Sequence, residues 1–308
     1  MVRASFAILS AVAAGVLSPG CATPQRHDDA AVSALMEEAR TLYDNGRYSK
    51  ARKVYEELAD PMVCDETHAE EATFYVGECY YQQRDYPSAR KAYREVLMWH
   101  RRSRFFETAI SREFVIGANF CTGTVSTFCK RRGWGAKVLV DALELQPFGE
   151  HSAQSRLIVA DYYFEKGDYE EALHHYEVLS KDFPDTADAV QASYRRGLCL
   201  FHSVQCNRYD AKEIRRAING LEDARLDVAG QPESEANARR LSEIAEKLAM
   251  LHDLVARENY DVAQFYRKNK NPKAAAAYYK AVIEAAPESA YAALSRAALE
   301  DLSEGSPQ

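Results

Sequence analysis

The chain has 308 residues, 47% of them hydrophobic and 28% charged, with a net charge of −7. That length allows a substantial buried core, as two ordinary domains or as one extended array. The acidic balance argues against a general nucleic-acid binder, which needs a dominant basic surface, and only 14 Gly and 10 Pro leave few turns, so the expected class is all-α.

Arg3 precedes an apolar run from Ala4 to Leu17, followed by Ser18-Pro19-Gly20-Cys21 and a polar stretch opening at Thr23. The run is shorter than the roughly 20 residues that span a bilayer as a helix. Residues 1–20 therefore read as an export signal peptide that is removed. Small residues before a cysteine resemble a lipidation site, with Cys21 as the acylated residue and 21–29 as a linker; simple secretion is the alternative. Each buried CH₂ of an acyl chain contributes about 0.8 kcal/mol, so several palmitate-type chains would hold the protein on a membrane.

From residue 30 one spacing recurs. Counting from Ala160, offsets of 3, 12, 16, 19 and 24 reach Tyr163, Ala172, Tyr176, Leu179 and Pro184, with Gly167-Asp168-Tyr169 between. From Ala263 they reach Tyr266, Ala275, Tyr279, Val282 and Pro287. From Ala39 they reach Leu42, Ala51, Tyr55, Leu58 and Val63, and from Gly77 they reach Tyr80, Ala89, Tyr93, Val96 and Arg101. Two further copies are stretched. Gly117 and Phe120 pair with Ala136, Val140 and Leu143 after seven extra residues, and Gly197 and Leu200 pair with Ala217, Leu221 and Ala224 after eight. The extra residues are expected to lengthen two loops, Thr122 to Gly135 and Ser203 to Asp210.

This pattern resembles the tetratricopeptide repeat. Ala or Gly lets two helices of a hairpin approach, aromatics fill the gap between hairpins, and Pro stops the second helix. Between Glu233 and Lys268 there is neither Gly nor Pro, and the apolar spacing of Leu241, Ile244, Leu248, Leu251, Leu254, Val255, Val262 and Phe265 predicts one long helix. Ala290 to Leu302 predicts a capping helix whose apolar face carries Ala293, Leu294, Ala297, Ala298 and Leu302. The expected fold is an all-α superhelical solenoid, with N-terminal repeats at 30–148, C-terminal repeats and cap at 149–303, and a tail at 304–308.

The order of export signal, repeats and a long helix containing Leu254-Val255-Ala256-Arg257-Glu258 and Val262-Ala263-Gln264-Phe265-Tyr266 resembles the BamD family of outer-membrane β-barrel assembly lipoproteins. The resemblance implies a non-enzymatic scaffold in the outer membrane, lipid-anchored and facing the periplasm. It also implies partners: the barrel-inserting assembly protein, held by the C-terminal repeats, and unfolded barrel substrates at the N-terminal ones. A tetratricopeptide envelope lipoprotein coordinating cell-wall synthesis or division is the alternative.

No constellation suggests catalysis, and no cofactor or metal is expected. His174 and His175 are adjacent, so on a helix they point about 100° apart and read as part of a solvated face. Six cysteines remain beyond Cys21; Cys121 with Cys129 and Cys199 with Cys206 bracket the two insertions and are candidate disulfides, with buried thiols as the other reading. His100-Arg101-Arg102-Ser103-Arg104 and Lys130-Arg131-Arg132-Gly133-Trp134 are basic clusters, read as solvated surface or as sites for lipid headgroups, cell-wall polymer or an acidic loop, with Trp134 a candidate exposed aromatic. First-helix residues Met36, Arg40, Tyr43, Phe74, Glu78, Tyr81, Leu157, Asp161 and Phe164 are expected along an inner groove suited to an apolar peptide or partner domain. In the last hairpin, Tyr260, Tyr266, Arg267, Lys268, Tyr278 and Lys280 form the candidate partner-binding group.

Overall fold

A computed structural model describes residues 27–124, 131–206 and 210–304. Thirteen helices and no strand occur among the described residues. They run α1 (Asp29–Asp44), α2 (Tyr48–Leu58), α3 (Glu66–Gln82), α4 (Tyr86–Trp99), α5 (Phe106–Cys121), α6 (Arg132–Leu145), α7 (Ser152–Lys166), α8 (Tyr169–Asp182), α9 (Ala187–Cys206), α10 (Ala211–Ala229), α11 (Glu235–Lys268), α12 (Pro272–Ala285) and α13 (Ala290–Glu304). Each repeat found in the sequence is a hairpin of two consecutive helices, which makes the fold a helical repeat solenoid.

Local chemistry sets the helix starts. The carboxylates of Asp28, Asp65 and Asp210 accept backbone N–H bonds from Ala31, from Thr67 and His68, and from Lys212. Asp85 and Asn271 do the same for Ser88 and Ala274 in helices that carry Pro in the first turn. Such caps satisfy donors that have no partner inside the helix. The turn between the helices of a regular hairpin needs a left-handed residue seven places after the small one: Gly46 (φ 72°), Arg84 (61°), Gly167 (86°) and Lys270 (56°).

The repeat positions are the core. Ala51, Ala89, Ala172 and Ala275 are wholly buried, and so are Tyr55, Tyr93, Tyr176 and Tyr279 to within 1%. In the stretched hairpins glycine takes over the close approach. A Cβ on Gly135 would stand 2.5 Å from the amide nitrogen of Cys121 and 2.7 Å from the carbonyl of Gly117, and one on Gly197 would meet Leu221 and the carbonyl of Gly220.

The chain forms two compact units, Met1–Ala109 and Ile110–Gln308. The division falls inside α5. The segment before α5 is tied to α3: Ser103 donates to Glu70, Arg104 to Glu71, and the Phe105 ring stacks on Phe74 at 4.5 Å.

The two insertions are absorbed differently. In the α5–α6 hairpin the extra residues lie between the helices, although α6 already begins at Arg132, so Arg132 to Gly135 are helical and not loop. In the α9–α10 hairpin both helices lengthen, to 20 and 19 residues, and Ser203 to Cys206, expected in a loop, complete α9. Relative to the α7–α8 hairpin, three more helical residues on each side account for six of the eight. The sequence offset cannot tell these cases apart, since it counts residues and not their conformation.

The long helix and the cap occur as expected, with one correction to the cap. Its inward face carries Ala292, Ser295, Ala298, Leu299 and Leu302, whereas Ala293, Leu294 and Ala297 face outward. Small residues on both sides of α13 made the two faces alike in the sequence. Residues 305–308 lie outside the described residues, as do 1–26 with the expected signal and Cys21. Among the described residues no helix is long and apolar enough to cross a membrane.

Candidate partner-binding surfaces

In the first unit the expected groove residues form an internal network. Met36, Phe74 and Glu78 are buried, at 5–6% exposure, and so serve the core; Tyr43 and Tyr81 are half-buried and Arg40 is exposed. Arg40 donates to Glu71 Oε1 at 2.9 Å and Arg104 to Glu71 Oε2 at 2.6 Å. Burial raises the Tyr43 hydroxyl to a pKa of about 12, with Glu78 adding to the effect. Tyr43, Tyr55, Tyr75, Phe74 and Phe105 make a continuous aromatic cluster with centroids 4.5–6.2 Å apart.

Two of the four buried tyrosines, Tyr93 and Tyr176, share an arrangement invisible in the repeat spacing. The residue after the small one supplies the hydroxyl's partner: Tyr93 donates to Glu78 at 2.6 Å, and Tyr176 to Asp161 at 2.5 Å. Burial pushes the Asp161 carboxyl above its ordinary range even though Tyr176 donates to it, and Gln191 donates to its other oxygen at 3.4 Å. Phe164 and Leu157, the other groove residues of α7, are half-buried against the core of the second unit.

Several chemical candidates change character. Trp134 is not a free aromatic; its ring meets Phe120 edge-on at 4.7 Å. His175 is buried beside Tyr163, with a ring separation of 6.1 Å, and burial lowers its pKa to about 4, whereas His174 is exposed. A solvated face thus describes His174 alone. Cys121 directs its thiol at the carbonyl of Ile158, 3.8 Å away, and burial raises Cys121 to about 11 and Cys199 to about 12. Their expected disulfide partners, Cys129 and the side chain of Cys206, lie outside the described residues, as does Lys130.

The last hairpin gathers part of the expected binding group. Tyr266 and Tyr278 stack at 5.5 Å with their planes 15° apart. Tyr260 is half-buried against Tyr279 and Tyr291 and accepts a bond from Gln264, so it belongs to the packing of α11, α12 and α13. Arg267 reaches Asp301 on the cap at 3.2 Å. Lys268 and Lys280 are exposed. The sequence reading missed the most accessible apolar residue here: Phe265, assigned to the core stripe of α11, is 61% exposed, and Val262 one turn before it is 36% exposed. A cavity of about 410 Å³ in the second unit is lined by Phe201, Val204, Met250, Leu254, Arg257 and Tyr291. A cavity in the first unit, of about 580 Å³, is lined by Pro61, Cys64, Glu95, Trp99 and His100 among others.

The second unit's repeats carry the family signature. The family model described as YfiO, outer membrane lipoprotein, matches residues 134–303, more than half of the chain. The chain belongs to the YfiO family. A tetratricopeptide repeat model matches residues 36–104 of this YfiO-family chain. It is 27% identical over 139 residues to a protein of Caulobacter vibrioides named outer membrane protein assembly factor BamD; the match covers 45% of this chain and 43% of that relative's length. Solved structures with some likeness include the C-terminal part of a tetratricopeptide protein from Cytophaga hutchinsonii, at 14% identity and a TM-score of 0.31 over 84% of this chain and 98% of that one. Another is PilW, a type IV pilus biogenesis factor, at 14% identity and 0.29 over 86% and 97%. Neither likeness bears on function.

Proposed function

We propose that this YfiO-family chain is a scaffold without catalytic activity, anchored by acyl groups on Cys21 in the outer membrane and facing the periplasm, that holds protein partners during assembly and insertion of β-barrel proteins. Its similarity to an assembly factor from Caulobacter vibrioides supports the assembly role. The observation that carries a binding role is the surface of the last hairpin, where exposed Val262 and Phe265 adjoin the Tyr266–Tyr278 stack, flanked in sequence by Lys268 and Lys280. Aromatic side chains are enriched at protein interfaces, inside a polar rim. The barrel-inserting protein is the proposed partner there, and unfolded barrel substrates are proposed for the first unit. The cysteine pairs 121/129 and 199/206 are proposed as disulfides that staple the two longer hairpins.

Tagged protein recovered from gently solubilised envelope, beside a Phe265→Ala, Lys268→Ala, Lys280→Ala variant, tests the reading. These side chains are exposed, so the variant should fold. The expected result is a barrel-inserting protein captured by the parent and lost by the variant. Capture of cell-wall or division enzymes alone would replace the assembly role with the envelope-coordination one.

A further inference from the structure

We propose that the α2–α3 and α4–α5 turns of the first unit rest in the phospholipid headgroup region beside the N-terminal anchor, a contact that rests on the anchored reading above. Three large apolar side chains stand out in this unit: Met62 at 63% exposure, Met98 at 47% and Trp99 at 79%. Trp99 lines a cavity with Ala59, Pro61, Cys64 and Ala69, which puts it against the α2–α3 turn that carries Met62, and Met98 precedes it at the end of α4. Arg101 and Arg102 follow Trp99 and are exposed. Tryptophan concentrates at the membrane interface, and arginine beside it reaches phosphate.

What singles out a lipid surface as the occupant is where the N-terminal segment ends. The His27 N–H donates to the carbonyl of Val63 at 2.9 Å, and its ring meets Glu57 at 3.1 Å, so residue 27 is pinned to the turn that carries Met62. Cys21 lies six residues earlier. Six residues reach at most about 20 Å when fully extended. An acylated Cys21 therefore holds the bilayer surface within that reach of the α2–α3 turn, whichever path the segment takes.

The charge around the cavity defines the kind of contact. Asp65, Glu66 and Glu95 also line it, but Asp65 is hydrogen-bonded to His68, and His100 stands 3.8 Å from both Glu66 and Glu70. With acids and arginines mixed, adsorption by net charge is weak. The apolar side chains supply the attraction, and the contact should form on zwitterionic as well as anionic phospholipid.

The chain holds two tryptophans, so Trp134→Phe leaves Trp99 as the only indole. The lipidated full chain would be placed on phosphatidylethanolamine and phosphatidylglycerol vesicles, with and without bromine on the acyl chains. The expected result is flotation with the vesicles, a blue shift of Trp99 emission, and its quenching by brominated lipid; Trp99→Phe, which reports on Trp134, should show neither optical change. Adding Arg101→Glu and Arg102→Glu should reduce the quenching. Flotation with an unquenched Trp99 overturns the contact and leaves the anchor standing, whereas a chain that carries no acyl mass and does not float removes both. A blue shift that grows with protein concentration without lipid also overturns it, and assigns the patch to a second copy. Hydrogen exchange of the unmodified chain reads the same surface should Trp134→Phe not fold: protection of 60–62 and 98–102 by vesicles is expected, and its absence rejects the contact.

Discussion

Two of the four left-handed turn residues are the wrong type for their backbone. Arg84 and Lys270 adopt φ of 61° and 56° at the position where the first and fourth hairpins have glycine. A side chain in that region costs about 1–2 kcal/mol, partly offset by the entropy that glycine loses on folding. Arg84→Gly should therefore raise stability by about 0.5–1 kcal/mol in urea denaturation, and Gly167→Ala should lower it by about 1 kcal/mol. A Cβ on Gly167 meets nothing within 4 Å, so that loss would measure backbone conformation alone. The buried tyrosines make a second residue-scale case. Tyr176→Phe leaves Asp161 without its 2.5 Å donor and keeps the packing volume. The expected cost is about 1–3 kcal/mol, the range for stranding a buried acceptor. Tyr55→Phe, where the residue after the small one is Arg40 and not an acid, should cost less in the same assay.

At the scale of elements, hairpin order and the buried positions were legible because the same offsets serve the same contacts. All four alanines and all four tyrosines of the regular copies are in the core. Three features were not legible. Turn residues with positive φ include an arginine and a lysine, whose side chains give no sign of the backbone they occupy. On α11, Val262 and Phe265 continue the apolar period of Ile244 and Leu248 yet lie outside, because periodicity names a face without saying how far along the helix a neighbour covers it. On α13, alanines on both sides removed the contrast that orients a helix. The stretched hairpins yield a prediction of their own. In α5–α6 the obstacle to a Cβ on Gly135 is the backbone of Cys121 and Gly117, which cannot rotate away. Gly135→Ala should destabilise by about 1–3 kcal/mol through forced separation of the two helices, whereas Gly123→Ala, which has nothing within 4 Å but a φ of 77°, should cost about 1 kcal/mol. Equal effects in thermal unfolding would mean that close approach is not what holds this hairpin.

For the whole molecule, stability should depend on pH through groups that the fold keeps from charging. His175 is buried, and its pKa falls from 6.5 to about 4 because burial disfavours the imidazolium, with His174 and Arg156 adding repulsion. Between those values the unfolded chain binds a proton that the native chain refuses, so stability falls as pH drops from 6.5 toward 4 and levels off below. His202, lowered by burial and by Lys247, acts in the same direction. Asp161 opposes them: its raised pKa means that the native carboxyl holds its proton where the unfolded one has lost it, so its contribution grows as pH falls toward 3.8. The histidine effect can be isolated by difference. In the parent, the loss assigned to His175 between pH 7 and pH 4 should approach about 3 kcal/mol, and His175→Leu should remove that part of the slope while leaving the Asp161 part. Denaturation at the two pH values, for parent and variant, measures it. A stability difference between the two proteins that is the same at both pH values would mean that His175 titrates alike in the folded and unfolded chains, and the acid sensitivity would then have to come from groups other than His175.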